Sequence, residues 1–90
     1  MKEYYELYAW TECPYCIKAR ELLVSKNKQF VFCCIDESQG LLSYIKEKYD
    51  WLTVPLIVRK DILRGEEEFI GGYSDLVKYF EVRDEKNIPL

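Results

Sequence analysis

The 90-residue sequence contains no histidine. Imidazole is the usual general base near neutral pH and a frequent metal ligand. Histidine-based acid–base catalysis, Ser-His and Cys-His nucleophile pairs and imidazole metal sites are therefore excluded. Positive charge is also scarce, with 13 Lys and Arg against 16 Asp and Glu and a net charge of −3. This balance disfavours nucleic-acid binding, which depends on neutralising phosphates, and it disfavours a polybasic membrane surface.

Long apolar runs are missing as well, because no stretch approaches the roughly 20 apolar residues that span a bilayer. Residues 1–7 carry acidic side chains where a secretory signal would be apolar. The sequence therefore predicts a cytoplasmic protein with no membrane partner, in a compartment that keeps thiols reduced. With 90 residues and a hydrophobic content of 49%, we expect one small domain over residues 1–82 and a short polar tail over 83–90.

Four cysteines are present, namely Cys13, Cys16, Cys33 and Cys34. Two structural disulfides suit small secreted proteins, and this chain has neither the signal nor the poor core of that class. A zinc site needs separated chelating pairs, whereas Cys33 and Cys34 are adjacent in a strand-like run and point to opposite faces. We favour one redox pair, Cys13 and Cys16, with the other two cysteines buried as small hydrophobic residues and no metal bound. Half of a zinc site or two core thiols stay open as alternatives for the pair.

Hydrophobic periodicity predicts the element order strand, helix, strand, helix, strand, strand, helix. The predicted strands cover residues 3–9, 29–35, 53–58 and a short stretch ending at 69–70. The predicted helices cover residues 14–26, 41–49 and a last stretch capped by Ser74. We expect the first two strands to be parallel and the last two to form an antiparallel hairpin with a long connection over 59–68. Residues 29–35 are apolar at both parities, which predicts a strand buried on both faces.

The first motif, Cys13-Pro14-Tyr15-Cys16, follows a predicted strand and opens a predicted helix. Pro14 suits the first helical position, which makes Cys13 the N-cap residue. Free N–H groups and the positive end of the helix dipole stabilise a thiolate there. We therefore expect the pKa of the Cys13 thiol to lie below its free value near ~8.5. The spacing puts Cys16 one turn on, where it can attack a mixed disulfide formed on Cys13.

Two later segments add to this motif. Thr53-Val54-Pro55 predicts a cis X-Pro bond that turns the Val54 backbone outward to pair with an extended peptide. An ordinary trans proline at a strand start is the alternative interpretation. The 71–75 segment, Gly-Gly-Tyr-Ser-Asp, is a tight turn that leads into a helix N-terminus. Such a turn binds a carboxylate through backbone N–H groups or serves as a simple helix cap.

Taken together, these motifs resemble the glutaredoxin family. The 13–16 motif matches its dithiol active site, residues 17–20 are similar to its first helix, and 53–55 and 71–75 match its two other signatures in order. The resemblance spans about residues 5–80. It implies a thioredoxin-like α/β fold, a four-stranded mixed sheet flanked by three helices. It also implies an enzyme that reduces protein disulfides and glutathione mixed disulfides, with glutathione as co-substrate and no tightly bound cofactor.

The resemblance also implies roles for individual residues. Cys13 is expected to be the nucleophile and Cys16 the resolving thiol. The γ-glutamyl carboxylate of glutathione would meet Ser74 and Asp75, and the Asp75 carboxylate would take the ammonium group. Disulfide-containing or glutathionylated proteins would be the partners of a monomer, with ribonucleotide reductase as one candidate by family analogy. The residues expected to contact glutathione are Tyr15, Thr53, Val54, Pro55, Gly72, Tyr73, Ser74 and Asp75.

The sequence departs from the family pattern near the motif and in the hairpin. Members often carry Lys or Arg a few residues before the motif, where it helps to stabilise the thiolate and to bind the glycine carboxylate. Here Trp10-Thr11-Glu12 stands in that place, and Glu12 would oppose a thiolate. Leu52 replaces a residue that is often polar, and the 59–68 connection looks longer than usual.

Three other functions are compatible with this fold. A glutathione-ligated iron–sulfur cluster carrier is disfavoured by the rigid Pro14, since cluster-binding members usually have a less rigid residue there. A redoxin that draws electrons from thioredoxin reductase is disfavoured by the Ser74-Asp75 pair, which favours glutathione. A non-catalytic binding module is disfavoured by the two intact cysteines of the motif.

Overall fold

The computed structural model of the chain describes residues 3–10, 12–35, 39–50 and 53–86. Three helices and four strands follow one another in the predicted order, which confirms the βαβαββα arrangement and the α/β fold class. Leu52 and Thr11 lie outside the described residues. The elements are β1 (Glu3–Ala9), α1 (Pro14–Ser25), β2 (Phe30–Cys34), α2 (Gln39–Tyr49), β3 (Leu56–Asp61), β4 (Glu66–Gly71) and α3 (Tyr73–Lys86).

The strands form one sheet in the order β2-β1-β3-β4. β1 and β2 are parallel and β3 and β4 are antiparallel, as the sequence predicts. β3 is also antiparallel to β1. The antiparallel register places Tyr8, near the carboxyl end of β1, opposite Leu56, the first residue of β3. The segment after β1 and the segment before β3 therefore meet at one end of the sheet. This is how the fold brings the Cys13 motif and Pro55 together.

Both faces of the sheet are covered by helices. Tyr5, Leu7 and Ala9 of β1 alternate along the strand and are fully buried. They pack in one cluster with buried residues of α1 and α3 and with neighbours, namely Cys13, Cys16, Ala19, Leu23, Ile57, Leu76 and Phe80. On the other face Tyr8 packs against a second cluster, formed by Ile45 of α2 with Leu56 and Val58. The period of two along β1 thus divides its side chains between two cores, and the redox pair belongs to the first.

The second strand is an edge strand, and the prediction that it is buried on both faces is wrong. β2 is the outermost strand of the described sheet. None of the five residues of Phe30–Cys34 is buried, and Val31 is 50% exposed. A run that is apolar at both odd and even positions does not distinguish a central strand from an edge strand, which lacks a neighbouring strand on one side.

The backbone of β2 also has a free side. Tyr5 N–H donates to the Gln29 carbonyl and Ile35 N–H donates to the Ala9 carbonyl, both at 2.9 Å. Successive residues of a strand direct their backbone groups to opposite sides, so the odd-numbered residues of this run bond to β1. The backbone N–H and C=O groups of Phe30 and Phe32 consequently point away from the sheet.

The hairpin differs from the prediction in its bounds. β3 extends over Leu56–Asp61 and β4 over Glu66–Gly71. Residues 62–65 alone connect them, so the expectation of a long 59–68 connection is wrong. The third strand also begins at Leu56 rather than at residue 53.

Cross-strand ion pairs explain why a charged run forms strands here. Arg59 lies opposite Glu68 and Lys60 opposite Glu67 in the register. Arg59 Nε lies 3.0 Å from Glu68 Oε1, and Lys60 Nζ lies 2.6 Å from Glu67 Oε2. Opposite charges on facing residues stabilise an antiparallel pair. A run that composition assigns to a solvated loop is therefore ordered by its partner strand.

The last helix is tied to the first strand through Arg83. Its Nη1 lies 3.4 Å from Glu3 Oε1 and donates to the hydroxyls of Tyr5 and Tyr79, both at 3.2 Å. α3 continues to Lys86, beyond the point at which the sequence predicts a tail. The division into residues 1–82 and 83–90 stays a prediction. Within the described ranges, no helix has the combination of length and apolar character that crossing a bilayer requires.

Candidate active site

The Cys-x-x-Cys pair lies where β1 leads into α1. Cys13 is the N-cap, with an extended backbone at φ −135° and ψ 108°, and Pro14 is the first helical residue, as predicted. The Cys16 N–H donates to Cys13 Sγ at 3.2 Å, and the Ile17 N–H donates to the Cys13 carbonyl at 3.0 Å. Cys13 and Cys16 form a disulfide, and their Cα atoms are 5.1 Å apart. A sulfur thus fills the capping position, where a helix N–H would stabilise it as a thiolate after reduction.

The two cysteines differ in their access to solvent. Cys13 keeps 8% of its surface exposed, whereas Cys16 is fully buried among Ala9, Ala19 and Leu76. Thiol–disulfide exchange requires the attacked sulfur to be reached by the incoming one. A substrate can therefore approach Cys13 from outside, and Cys16 can reach a bond on Cys13 only from within the protein.

A groove of about 360 Å³ opens beside Cys13. The Val54–Pro55 peptide bond is cis, which confirms the prediction for this segment. Pro55 is buried, Val54 is half-buried and packs against the cluster that holds both cysteines, and Thr53 is exposed. The segment before β3 consequently forms one wall of the groove. The described residues that line it are Trp10, Glu12, Cys13, Pro14, Thr53 and Val54.

An aromatic surface connects the starts of α1 and α3. The ring centroids of Tyr15 and Tyr73 are 6.2 Å apart, with 34° between the ring planes. Tyr15 is 59% exposed, and Lys18 Nζ lies 5.3 Å from the centroid of its ring. The two tyrosines come from different sequence motifs, so the fold brings the 13–16 motif and the 71–75 segment side by side.

The start of α3 is closed by the chain's own carboxylate. The helix begins at Tyr73, so the prediction that Ser74 is its N-cap is wrong. Asp75 Oδ2 accepts a hydrogen bond from the Gly72 N–H at 2.9 Å, and the Leu76 N–H donates to the Gly72 carbonyl at 3.0 Å. Because Asp75 reaches back to Gly72, the cap lies earlier than a serine pattern indicates. Ser74 is exposed.

Gly71 makes room for this carboxylate. Its φ is +121°, and a Cβ built on it would lie 2.5 Å from Asp75 Oδ2. The side chain of Asp75 therefore occupies the space that any other residue at position 71 would fill.

The fold brings the residues predicted to contact glutathione to three places, of which the first two are joined to the motif at the start of α1. Some lie at the groove, some at the aromatic surface and some at the start of α3. Contact with glutathione stays a prediction for each of them: Tyr15, Thr53, Val54, Pro55, Gly72, Tyr73, Ser74 and Asp75.

Three groove residues are missing from that predicted set. Trp10, Glu12 and Pro14 all line the groove. Trp10 and Glu12 are visible in the sequence as departures from the family pattern, and Pro14 as a helix start. Their closeness to Cys13 along the chain is the signal that would have placed them at the site.

The prediction that Cys33 and Cys34 are both buried is wrong. Cys33 is half-buried and Cys34 is exposed. Partial burial raises the pKa of the Cys33 thiol, and the Glu6 carboxylate raises it further. Cys33 is thereby kept protonated and is a poor nucleophile. Cys34 lies opposite Ala9 in the parallel register, on the strand next to the one that leads to Cys13.

Among residues 3–10, 12–35, 39–50 and 53–86, no three Cys, Asp or Glu side chains come together in a group that could hold a metal ion. A larger open hollow of about 1220 Å³ lies between α3 and the β3–β4 hairpin. Its lining has equal numbers of acidic and basic side chains and includes neither Cys13 nor Cys16, so we place the chemistry at the smaller groove.

Comparisons with known proteins agree with this arrangement. A family model described as glutaredoxin matches residues 5–63. Glutaredoxin-1 of Rhizophagus irregularis is 38% identical over 68 residues, which cover 72% of this chain and 61% of that protein. The chain thus spans somewhat less than two thirds of that relative's length. The solution structure of the dithiolic glutaredoxin 2-C-Grx1 of Trypanosoma brucei brucei matches with a TM-score of 0.64 and 32% identity, covering 91% of this chain and 77% of that one.

Proposed function

Because the chain belongs to the glutaredoxin family, we propose that it is a glutathione-dependent thiol–disulfide oxidoreductase that reduces protein disulfides and glutathione mixed disulfides. The observation that carries this proposal is the Cys13–Cys16 disulfide at the start of α1. One sulfur of the pair borders an open groove and the other is enclosed by the core. A pair placed only for stability would need neither the groove nor this difference in access.

Reduction of a glutathione mixed disulfide requires Cys13 alone. The Cys13 thiolate attacks the glutathione sulfur, the bond to the substrate breaks, and the substrate leaves as a thiolate that takes up a proton. A second glutathione thiolate then attacks the glutathione sulfur held on Cys13. Glutathione disulfide leaves, and the Cys13 thiolate is restored.

Reduction of a protein disulfide uses both cysteines. Cys13 forms a mixed disulfide with one substrate sulfur and releases the other as a thiol. Cys16 then attacks Cys13 Sγ, which releases the second substrate thiol and leaves the Cys13–Cys16 disulfide. Two glutathione molecules reduce that disulfide and leave as glutathione disulfide. The burial of Cys16 supports this order, because its sulfur can be reached only from Cys13.

In this proposal glutathione lies along the surface from the groove to the start of α3. The backbone of glutathione packs on the aromatic surface of Tyr15 and Tyr73, and the Asp75 carboxylate pairs with its ammonium group. The protein acts as a cytoplasmic monomer in electron transport to disulfide-containing or glutathionylated proteins. Ribonucleotide reductase is one candidate recipient by family analogy. The two cysteines outside the disulfide support a reducing compartment.

The test compares two variants on two substrates. We expect Cys13→Ser to abolish reduction of both a glutathionylated peptide and a disulfide-bonded protein. We expect Cys16→Ser to retain reduction of the glutathionylated peptide and to lose dithiol reduction of the protein disulfide. The measurement is NADPH consumption with glutathione and glutathione reductase, and supply from thioredoxin reductase is measured in parallel.

Two results would contradict the proposal. An inactive Cys16→Ser on the glutathionylated peptide, or an active Cys13→Ser, would show that the roles are wrongly assigned. Efficient supply from thioredoxin reductase with none from glutathione would reject glutathione as the reductant. Circular dichroism of both variants separates loss of chemistry from loss of fold.

A further inference from the structure

The groove beside Cys13 carries a negative charge among its described lining residues. Glu12 is the one charged side chain among its described lining residues, and it is exposed. No lysine or arginine belongs to that described lining. Lys18, on the same helix as Cys16, lies over the Tyr15 ring and outside the groove. A negative charge on one wall, next to a sulfur that becomes a thiolate on reduction, gives the groove a negative potential.

A second observation points to the same kind of ligand. Trp10 also lines the groove and is 40% exposed. The face of an indole ring is the most favourable aromatic surface for an ammonium or guanidinium group. The Glu12 carboxylate can pair with a cation and the Trp10 ring can pack against it, so the two side chains together provide the groups that bind a cation. An anionic group in the same place would meet repulsion from Glu12 and would gain nothing from the ring.

We propose that the part of this groove formed by Trp10 and Glu12 is a specificity subsite for a cationic group and that the Thr53–Val54 wall is left to glutathione. The enzyme would then favour disulfide substrates with lysine or arginine beside the reacting cysteine. The inference rests on the proposed function and names its preferred substrate class. Glu12 is the specificity-determining residue and Trp10 supports the cation. The exchange reaction itself is unchanged, since Cys13 attacks the same sulfur in every substrate.

The expected size of the effect follows from the exposure of Glu12. An exposed ion pair changes a rate constant by up to about five-fold. In the comparison of a lysine peptide with a glutamate peptide, attraction to Glu12 raises the first rate constant and repulsion from Glu12 lowers the second, so the two effects multiply. We therefore expect the kcat/KM values of matched lysine and glutamate peptides to differ by about three-fold to ten-fold at low salt. The difference should shrink in 0.5 M salt, where charges are screened within a few ångströms.

The experiment uses three single-cysteine peptides that differ only beside the cysteine, which is flanked by lysine, glutamine or glutamate. Each is prepared as a mixed disulfide with 2-mercaptoethanol, so that the leaving thiol carries no charge. The readout is the ratio of kcat/KM for the lysine and glutamate peptides within one enzyme. This ratio cancels any effect of Glu12 on the reactivity of the Cys13 thiolate.

Four variants accompany the wild-type protein, and one of them is a control. Glu12→Gln should bring the ratio close to one, and Glu12→Lys should invert it. Trp10→Leu should slow the lysine peptide relative to the glutamine peptide. Glu21→Gln is the matched control, because it removes the same charge from an exposed position of α1 outside the groove lining. It should leave the ratio unchanged.

The outcomes separate this inference from the proposed function. Equal kcat/KM values for the three peptides at low salt, or a ratio that Glu12→Gln does not alter, would overturn the cationic subsite and leave the oxidoreductase standing. Absence of turnover on the glutamine peptide, with folded protein and glutathione present, would instead overturn the proposed function. An equal loss of ratio in Glu21→Gln would assign the preference to overall charge rather than to the groove.

Discussion

Gly71→Ala should be one of the most damaging single-methyl substitutions in the chain. The φ of +121° at Gly71 is a conformation that residues with a Cβ rarely adopt. The added Cβ would also lie 2.5 Å from Asp75 Oδ2. That oxygen accepts the hydrogen bond from the Gly72 N–H that closes the start of α3. The substitution therefore combines backbone strain with the displacement of a helix cap.

The magnitude follows from these two parts. A non-glycine residue in a sparsely populated backbone region costs about 1–3 kcal/mol. Loss of a capping side-chain hydrogen bond costs about 0.5–2 kcal/mol. We expect Gly71→Ala to lower the free energy of unfolding by about 1.5–5 kcal/mol, out of the roughly 5–15 kcal/mol that is typical of a small domain.

Urea unfolding followed by circular dichroism measures this loss, and two controls resolve its parts. Gly65 has a φ of +66° but nothing within 4 Å of a built Cβ, so Gly65→Ala should cost about 1 kcal/mol from the backbone alone. In an Asp75→Ala background the contacts of the added Cβ with Oδ2 and Cγ are absent and only the contact with the Cβ at position 75, at 3.1 Å, remains. Gly71→Ala should then cost little more than its backbone part. A Gly71→Ala loss no larger than that of Gly65→Ala would refute the reasoning.

Two further predictions concern side chains away from the groove. A Cys33→Ser/Cys34→Ala variant should keep most of its turnover on a glutathionylated peptide, because the proposed mechanism assigns both roles to Cys13 and Cys16. Loss of turnover in a folded variant would show that the extra thiols take part. Burial pushes the pKa of Glu68 upward, but hydrogen bonds from Tyr79 at 2.8 Å and from Arg59 at 3.0 Å leave it lowered. A carboxyl group whose folded pKa is depressed stabilises the fold above its unfolded pKa near ~4.3, and this contribution is lost as pH falls further. Urea titrations at pH 6 and pH 3.5 measure this contribution, and Glu68→Gln should lose less stability between the two pH values than the wild type does. The difference should be less than about 1 kcal/mol, because the Glu68 side chain is half exposed. Glu47→Gln on α2 is the control and should behave like the wild type.

Local signals in the sequence predicted the redox centre well. Pro14 after a short polar break is enough to start a helix, and it leaves Cys13 as the N-cap. The proline at position 55 was correctly expected to be cis from its place in the motif order. The helix start depends on a few neighbouring residues, whereas the cis bond is expected only because Pro55 follows the 13–16 motif in the family's order of motifs.

Features that depend on distant partners were predicted poorly. The 59–68 run looks like a loop until Arg59 and Lys60 are paired with glutamates of β4. The placement of β2 at the edge is decided by strand order, which no local pattern reports. The cap at Gly72 depends on whether the side chain of Ser74 or that of Asp75 accepts the Gly72 N–H. Asp75 accepts it, because Gly71 has no side chain and leaves room for the carboxylate.

The two edges of the sheet are protected to different degrees. β4 presents three consecutive glutamates, Glu66–Glu68, whose charge discourages another strand from pairing with it. β2 has no charged residue, and the backbone groups of Phe30 and Phe32 face outward. Strand addition between molecules is therefore expected to begin at β2 when the protein is concentrated. A lysine in place of the half-exposed Val31 would raise the solubility limit, and Val31 belongs neither to the described lining of the groove nor to the cluster that holds the two cysteines.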